Sequence, residues 1–238
     1  MTKAAADTFR EMLERNREIG RNLDRPGFPL GALEALQGWQ RERFSRTYAD
    51  FLSTDTDGPA CRFFLDELYG GLDFRKRDEE VSRVAPVMAR LLPESALDAL
   101  ADAFRLQAIS LELDIAMVEL GPDTDFRSMS TADYANWYRS CGRRAQREAQ
   151  ISLIRELGHR LDRLVRAPML LRLVGLLRGP AHAAGFGDLQ EFLEHGLHAF
   201  RGLADTERFV ETIYRREWRA MERLFAGDDD PYADLLTV

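Results

Sequence analysis

The chain has 238 residues and a mass of 27.2 kDa, with 33 Lys and Arg against 40 Asp and Glu, so its formal charge is −7 and its isoelectric point lies near 5.3. At 45% hydrophobic and 31% charged residues the composition is that of an ordinary globular protein, which excludes collagen, wholesale disorder and a disulfide scaffold. The acidic balance argues against a general nucleic-acid coat or a binder of anionic membranes.

Leu and Ala together number 61, whereas Val and Ile together number 14. Small and straight side chains keep their rotamer freedom in a helix and β-branched ones lose it, so the chain should be helical throughout. No stretch alternates with period two, and no strand is predicted. A first helix gathers Ala5, Phe9, Met12, Ile19 and Leu23 on one face. A second spans about 30–52 with Leu33, Leu36, Phe44, Tyr48 and Phe51. Turn formers at 54–59 precede a short aromatic helix over 61–69, which Gly70 and Gly71 stop. Asp73 offers an N-cap to a helix whose stripe runs Val81, Val84, Ala85, Met88, Leu91 and Leu92 until Pro93 ends it.

Ser95 and Asp98, at capping-box spacing, open a helix that reaches Leu120. Its apolar residues form two stripes: Leu97, Phe104, Leu111 and Ile115 on one side, Leu106, Ile109, Leu113 and Leu120 on the other. A helix apolar on two sides belongs in the middle of a bundle. Between the stripes lie Gln107, Ser110 and Asp114 along one edge and Arg105, Glu112 and Glu119 along the other. Such an edge is a solvated seam, a buried network or the wall of a ligand cavity. Gln107 and Asp114 are the candidate ligand contacts of the third reading, while internally satisfied polar groups are the commoner outcome.

Residues 121–129 form the clearest internal break and a possible subdivision. Ser130 and Asp133 make a second box-like cap, before a helix carrying Tyr134, Trp137, Tyr138 and Cys141. Around Gly142 the helix either breaks or continues into Ile151, Ile154, Leu161 and Val165. Pro168 suits the first turn of a helix over 169–178 that Gly179 and Pro180 kink or end. Helices over 188–203 and 206–226 follow, the last stopped by Gly227, and 228–238 reads as a loosely held acidic tail. The expected architecture is an all-α, single-domain bundle over 1–227, with about eight to ten helices around the central one near 95–120.

The charged opening segment lacks the apolar core of a secretory signal. The apolar run over 169–177 is interrupted by Arg172 and is about half the length needed to span a bilayer. Cys61 and Cys141 stand outside any CxxC spacing, as reduced thiols of a cytoplasmic protein would. No nucleotide-binding glycine loop or nucleophile turn is present.

Glu156 and His159 form half of the paired ExxH arrangement of bundle di-iron proteins, but the second half is missing and the helix wheel turns both toward solvent. Glu191, Glu194, His195 and His198 have spacings that chelate a divalent ion, though Leu189, Phe192, Leu193 and Leu197 define the opposite, buried face. His182, amid small residues, is a candidate axial haem ligand. Arg139, Arg143, Arg144 and Arg147 interleave with aromatic residues in a pattern suited to RNA.

Phe63-Phe64-Leu65, Asp66, Tyr69-Gly70, Asp73-Phe74 and Arg77-Asp78 resemble the signature of an uncharacterised bacterial all-helical family, and the 189–200 block is also similar to it. Gly71 stands where that pattern has Pro. The resemblance implies a helical fold and a bacterial origin and carries no activity. Turn and cap chemistry accounts for these residue types, and a functional reading would place Asp66, Tyr69 and Asp78 at a pocket mouth.

With no catalytic set assembled, the expected function is binding, either of a partner protein or of an apolar small molecule held between helices. A haem or metal protein using His182 or the Glu191–His198 cluster is the alternative, and an RNA-binding regulator through Arg139–Arg147 the second.

Overall fold

Amphipathic stripes become buried faces along most of the chain. In the computed structural model, which describes residues 3–65, 74–121, 124–183 and 187–237, the described residues form eleven α-helices and no strand. They are α1 (Lys3–Leu23), α2 (Leu30–Thr47), α3 (Ala49–Leu52), α4 (Gly58–Phe63), α5 (Phe74–Leu91), α6 (Glu94–Leu120), α7 (Thr131–Ser140), α8 (Arg144–Val165), α9 (Pro168–Ala183), α10 (Gly187–Arg201) and α11 (Thr206–Ala226). The fold is all-α, as the composition predicts.

Helix α6 lies between α1 on one flank and α8 on the other, with α2 against its C-terminal half. Both predicted stripes are covered: Leu97, Phe104 and Leu111 on one side and Leu106 and Leu113 on the other are buried, while Leu120, at the end, is half exposed. Helix α8 packs against α11 with its other side, and the α9–α10 pair leans on α8 through α10. Antiparallel register between α6 and α8 is fixed by Asp102 with Arg160, Ser110 with Gln150, and Met117 with Arg147.

Several boundaries differ from the sequence expectation, each for a local reason. The helix predicted over 30–52 is broken at Tyr48, whose φ of −115° and ψ of 26° leave the helical region; its hydroxyl donates to Glu217 of α11 at 2.7 Å. Helix α6 begins at Glu94 with Pro93 as its cap, so the Ser95–Asp98 box does not form; Asp98 instead faces Arg160 of α8 at 3.5 Å. The Ser130–Asp133 box does form. The Asp133 N–H donates to the Ser130 hydroxyl at 3.2 Å, and the Ser130 N–H donates to the Asp133 carboxylate at 3.0 Å. Gly142, at φ +60°, breaks the chain between α7 and α8. Helix α9 continues through Gly179 and Pro180 to Ala183. The Asp73 cap lies outside the described residues.

The acidic segment after Gly227 is anchored rather than loose. Leu235 is 2% exposed, Arg223 donates to the Ala233 carbonyl at 2.7 Å, and Arg216 donates to the Leu236 carbonyl at 3.3 Å.

Candidate functional site

Two cavities open along the face that α6 and α8 share. The first, of about 40 Å³, sets charged and amide side chains beside apolar ones and sits among α2, α6, α7, α8 and α11. The Gly142 break aims the first turn of α8 inward, which places Arg147 in the interior at 7% exposed. Its guanidinium donates to Gln150 Oε1 at 3.2 Å and to the Met117 sulfur at 3.4 Å, and lies 4.5 Å from the Tyr138 ring centre. Gln150 in turn donates to the Ser110 hydroxyl at 2.7 Å.

Asp114, from the polar edge of α6, is buried here and accepts from Gln40 at 2.9 Å and Gln37 at 3.4 Å. Burial raises its pKa above 3.8, against the pull of Arg147 and the two amides. On the far wall Arg43, also 7% exposed, donates to Glu217 at 2.7 Å and lies 3.6 Å from the Phe44 ring centre. The predicted polar edge of α6 is therefore a buried network and a cavity wall together. Gln107 is half-buried on the same edge, and Glu112 on the other edge takes a bidentate fork from Arg15 of α1, at 3.0 and 2.7 Å.

The second cavity, of about 120 Å³, lies among α6, α8, α9 and α10 and is walled by apolar side chains, Phe63 of α4 included. Ala99, Ala103, Leu157, Leu161, Val174 and Leu197 are among them. Three alanines of α6, at 96, 99 and 103, leave the space that larger side chains would fill. Gly196 lets α10 pass against Phe63, since a Cβ there would stand 2.7 Å from the ring.

The sequence candidates fare unevenly. Asp66, Tyr69 and the side chain of Asp78 lie outside the described residues. Glu191, His195 and His198 are exposed, but Glu194, expected on the solvent side, is buried because Arg178 forks onto it and Gln190 donates to it at 2.9 Å. The Arg178 hydrogen bond holds its carboxyl below the usual range, with Gln190 adding to the effect. His198 faces the Glu194 backbone carbonyl at 2.7 Å, so the four do not converge on an ion position. His182 is exposed and lies over Gly187, where a Cβ would stand 2.5 Å from its Nδ1.

His159 does not face open water as expected. It is wedged against α11, with Nε2 2.9 Å from Glu211 and Nδ1 3.3 Å from Glu207, while Glu156 is exposed. These three groups are close enough to hold a cation, yet Arg155 already pairs with the same Glu211 oxygen at 2.5 Å, and its hydrogen bond leads the causes that lower the Glu211 pKa. The cluster is an ion-pair clip between α8 and α11.

The arginines at 139–147 point to different places. Arg139 donates to the Leu224 carbonyl at 2.8 Å, Arg144 pairs with Glu148 at 2.9 Å, Arg143 is exposed and Arg147 is interior. Cys61 is buried and its thiol is pushed up to about 12 by burial, which disfavours the nucleophilic thiolate.

No described helix is long and apolar enough to cross a membrane. A family model described as Domain of unknown function (DUF8198) matches residues 28–231. No curated protein and no solved structure matches the chain.

Proposed function

The chain belongs to the DUF8198 family, whose description names no activity, and from its geometry we propose that it is a binding protein for a small apolar molecule held between α6, α8, α9 and α10. The observation that carries this reading is the 120 Å³ cavity with its apolar walls. Water gains no hydrogen-bond partners in such a space, and a dry cavity of roughly 150 Å³ lined by Leu, Ile and Phe admits benzene or xenon. A ligand of this class recovers the dispersion contacts that the lining side chains otherwise lack.

Benzene titration tests the reading. Saturable binding should raise the melting temperature, and Ala99→Phe, which fills the cavity from α6, should abolish that rise in a protein that still melts cooperatively. Absence of saturable binding to the parent chain would overturn it. A partner protein is the second reading, favoured by Met169 and Leu176, which stand 77% exposed on α9.

A further inference from the structure

The apolar cavity and the polar chamber share no lining residue, but both are built on α6 and α8, where they follow one another along the same faces. On α6, Leu100 and Ala103 face the apolar cavity, and Ser110 and Asp114 face the chamber. Gln107 stands between them, and the series keeps three- and four-residue intervals, so it lies on one helix face. The α8 face runs the other way, from Leu164, Leu161 and Leu157 through Ile154 to Gln150 and Arg147. Along α8 the seam passes from wholly apolar to charged over about 21 Å, taking 1.5 Å per residue from Leu161 to Arg147.

At its polar end Arg147 makes no direct ion pair among the described residues. It is 7% exposed, and its donors reach an amide oxygen and a thioether. A guanidinium is a planar fork matched to a carboxylate, and neither acceptor present supplies that charge or that geometry. Asp114, whose charge also acts on it, is engaged by the amides of Gln40 and Gln37.

We propose that the α6–α8 seam binds an unbranched carboxylate of medium chain length, with its head on Arg147 in the polar chamber and its chain in the apolar cavity. The proposal rests on the reading of the apolar cavity as a ligand site and adds the head group to it. A chamber of about 40 Å³ has room for more than one water and so for a small head group such as a carboxylate. Ile154 lines the chamber and Gln107 lines neither space, so a chain that joins the two requires both side chains to rotate.

The test compares decanoate, decanol and benzene on the full chain by calorimetric titration. Decanoate should bind at least ~10-fold more tightly than decanol, the worth of one charge-assisted hydrogen bond. Arg147→Met should erase that preference and leave benzene affinity unchanged. Arg147→Lys, which keeps the charge and guards against a variant that does not fold, should retain part of it. Asp114→Asn should tighten decanoate, because a neighbouring like charge is removed, a gain that a purely structural role does not give. Equal affinities for decanoate and decanol, or a preference that survives Arg147→Met, would overturn the proposal while leaving the benzene result standing. Failure of benzene as well would remove both readings.

Discussion

Asp114 and Glu217 are buried acids of the same chamber with opposite arrangements. Glu217 receives a guanidinium from Arg43 and a hydroxyl from Tyr48, both at 2.7 Å, and its charge is compensated in place. Asp114 receives two neutral amides, and burial raises its pKa above the unfolded value near 3.8. The folded state therefore holds that proton more tightly than the unfolded chain does. The resulting stabilisation is complete below about pH 4 and is lost as pH rises through the folded pKa. Asp114→Asn, which stays neutral, should gain on the parent chain in melting temperature as pH is raised from about 4 to about 8. A difference that stays constant across that range would show that burial does not act on this carboxyl.

Among the helices, the α8–α11 contact is set by a missing side chain. A Cβ on Gly158 would stand 2.6 Å from Val210 Cγ2 and 3.0 Å from Cγ1, so α11 approaches α8 because position 158 is glycine. Gly158→Ala should destabilise by about 1–3 kcal/mol through overpacking, and Val210→Ala in the same chain should recover part of that loss. Denaturant unfolding of both variants reads the pair; additive losses would mean that the two positions do not meet.

What was legible in the sequence divides along the same line. The two stripes of α6, the Ser130–Asp133 box and the Gly227 stop follow from local chemistry and stand in the structure. The chamber was harder to see, because its walls come from five helices far apart in the chain. A trace existed nonetheless: Arg43 and Gln40 share the apolar face of α2 with Leu33 and Leu36, and Glu217 shares that of α11 with Val210, Ala220 and Leu224. A charged residue at a stripe position signals burial with a partner. Glu194 fails for the converse reason: Arg178 reaches it from α9, a neighbour that its own helix wheel does not reveal.

At the scale of the whole molecule the segment after Gly227 closes the bundle beside Arg43. The Arg43 guanidinium lies 5.0 Å from the Tyr232 ring centre, and Leu235 is almost wholly buried. Leu235→Ala should cost about 2–5 kcal/mol as a large-to-small change in packed surroundings, which for a chain of this length lowers the melting temperature by roughly 2–4 °C per kcal/mol. A melting temperature unchanged within error would mean that the segment adds nothing to the fold.

Helix α6 supplies side chains to two separate hydrophobic clusters, from Ala96 to Leu106 in one and from Ala108 to Val118 in the other. Because one rigid rod is embedded in both, strain introduced at either end reaches the other without passing through a loop. The apolar cavity and the polar chamber thus hang on a single helix.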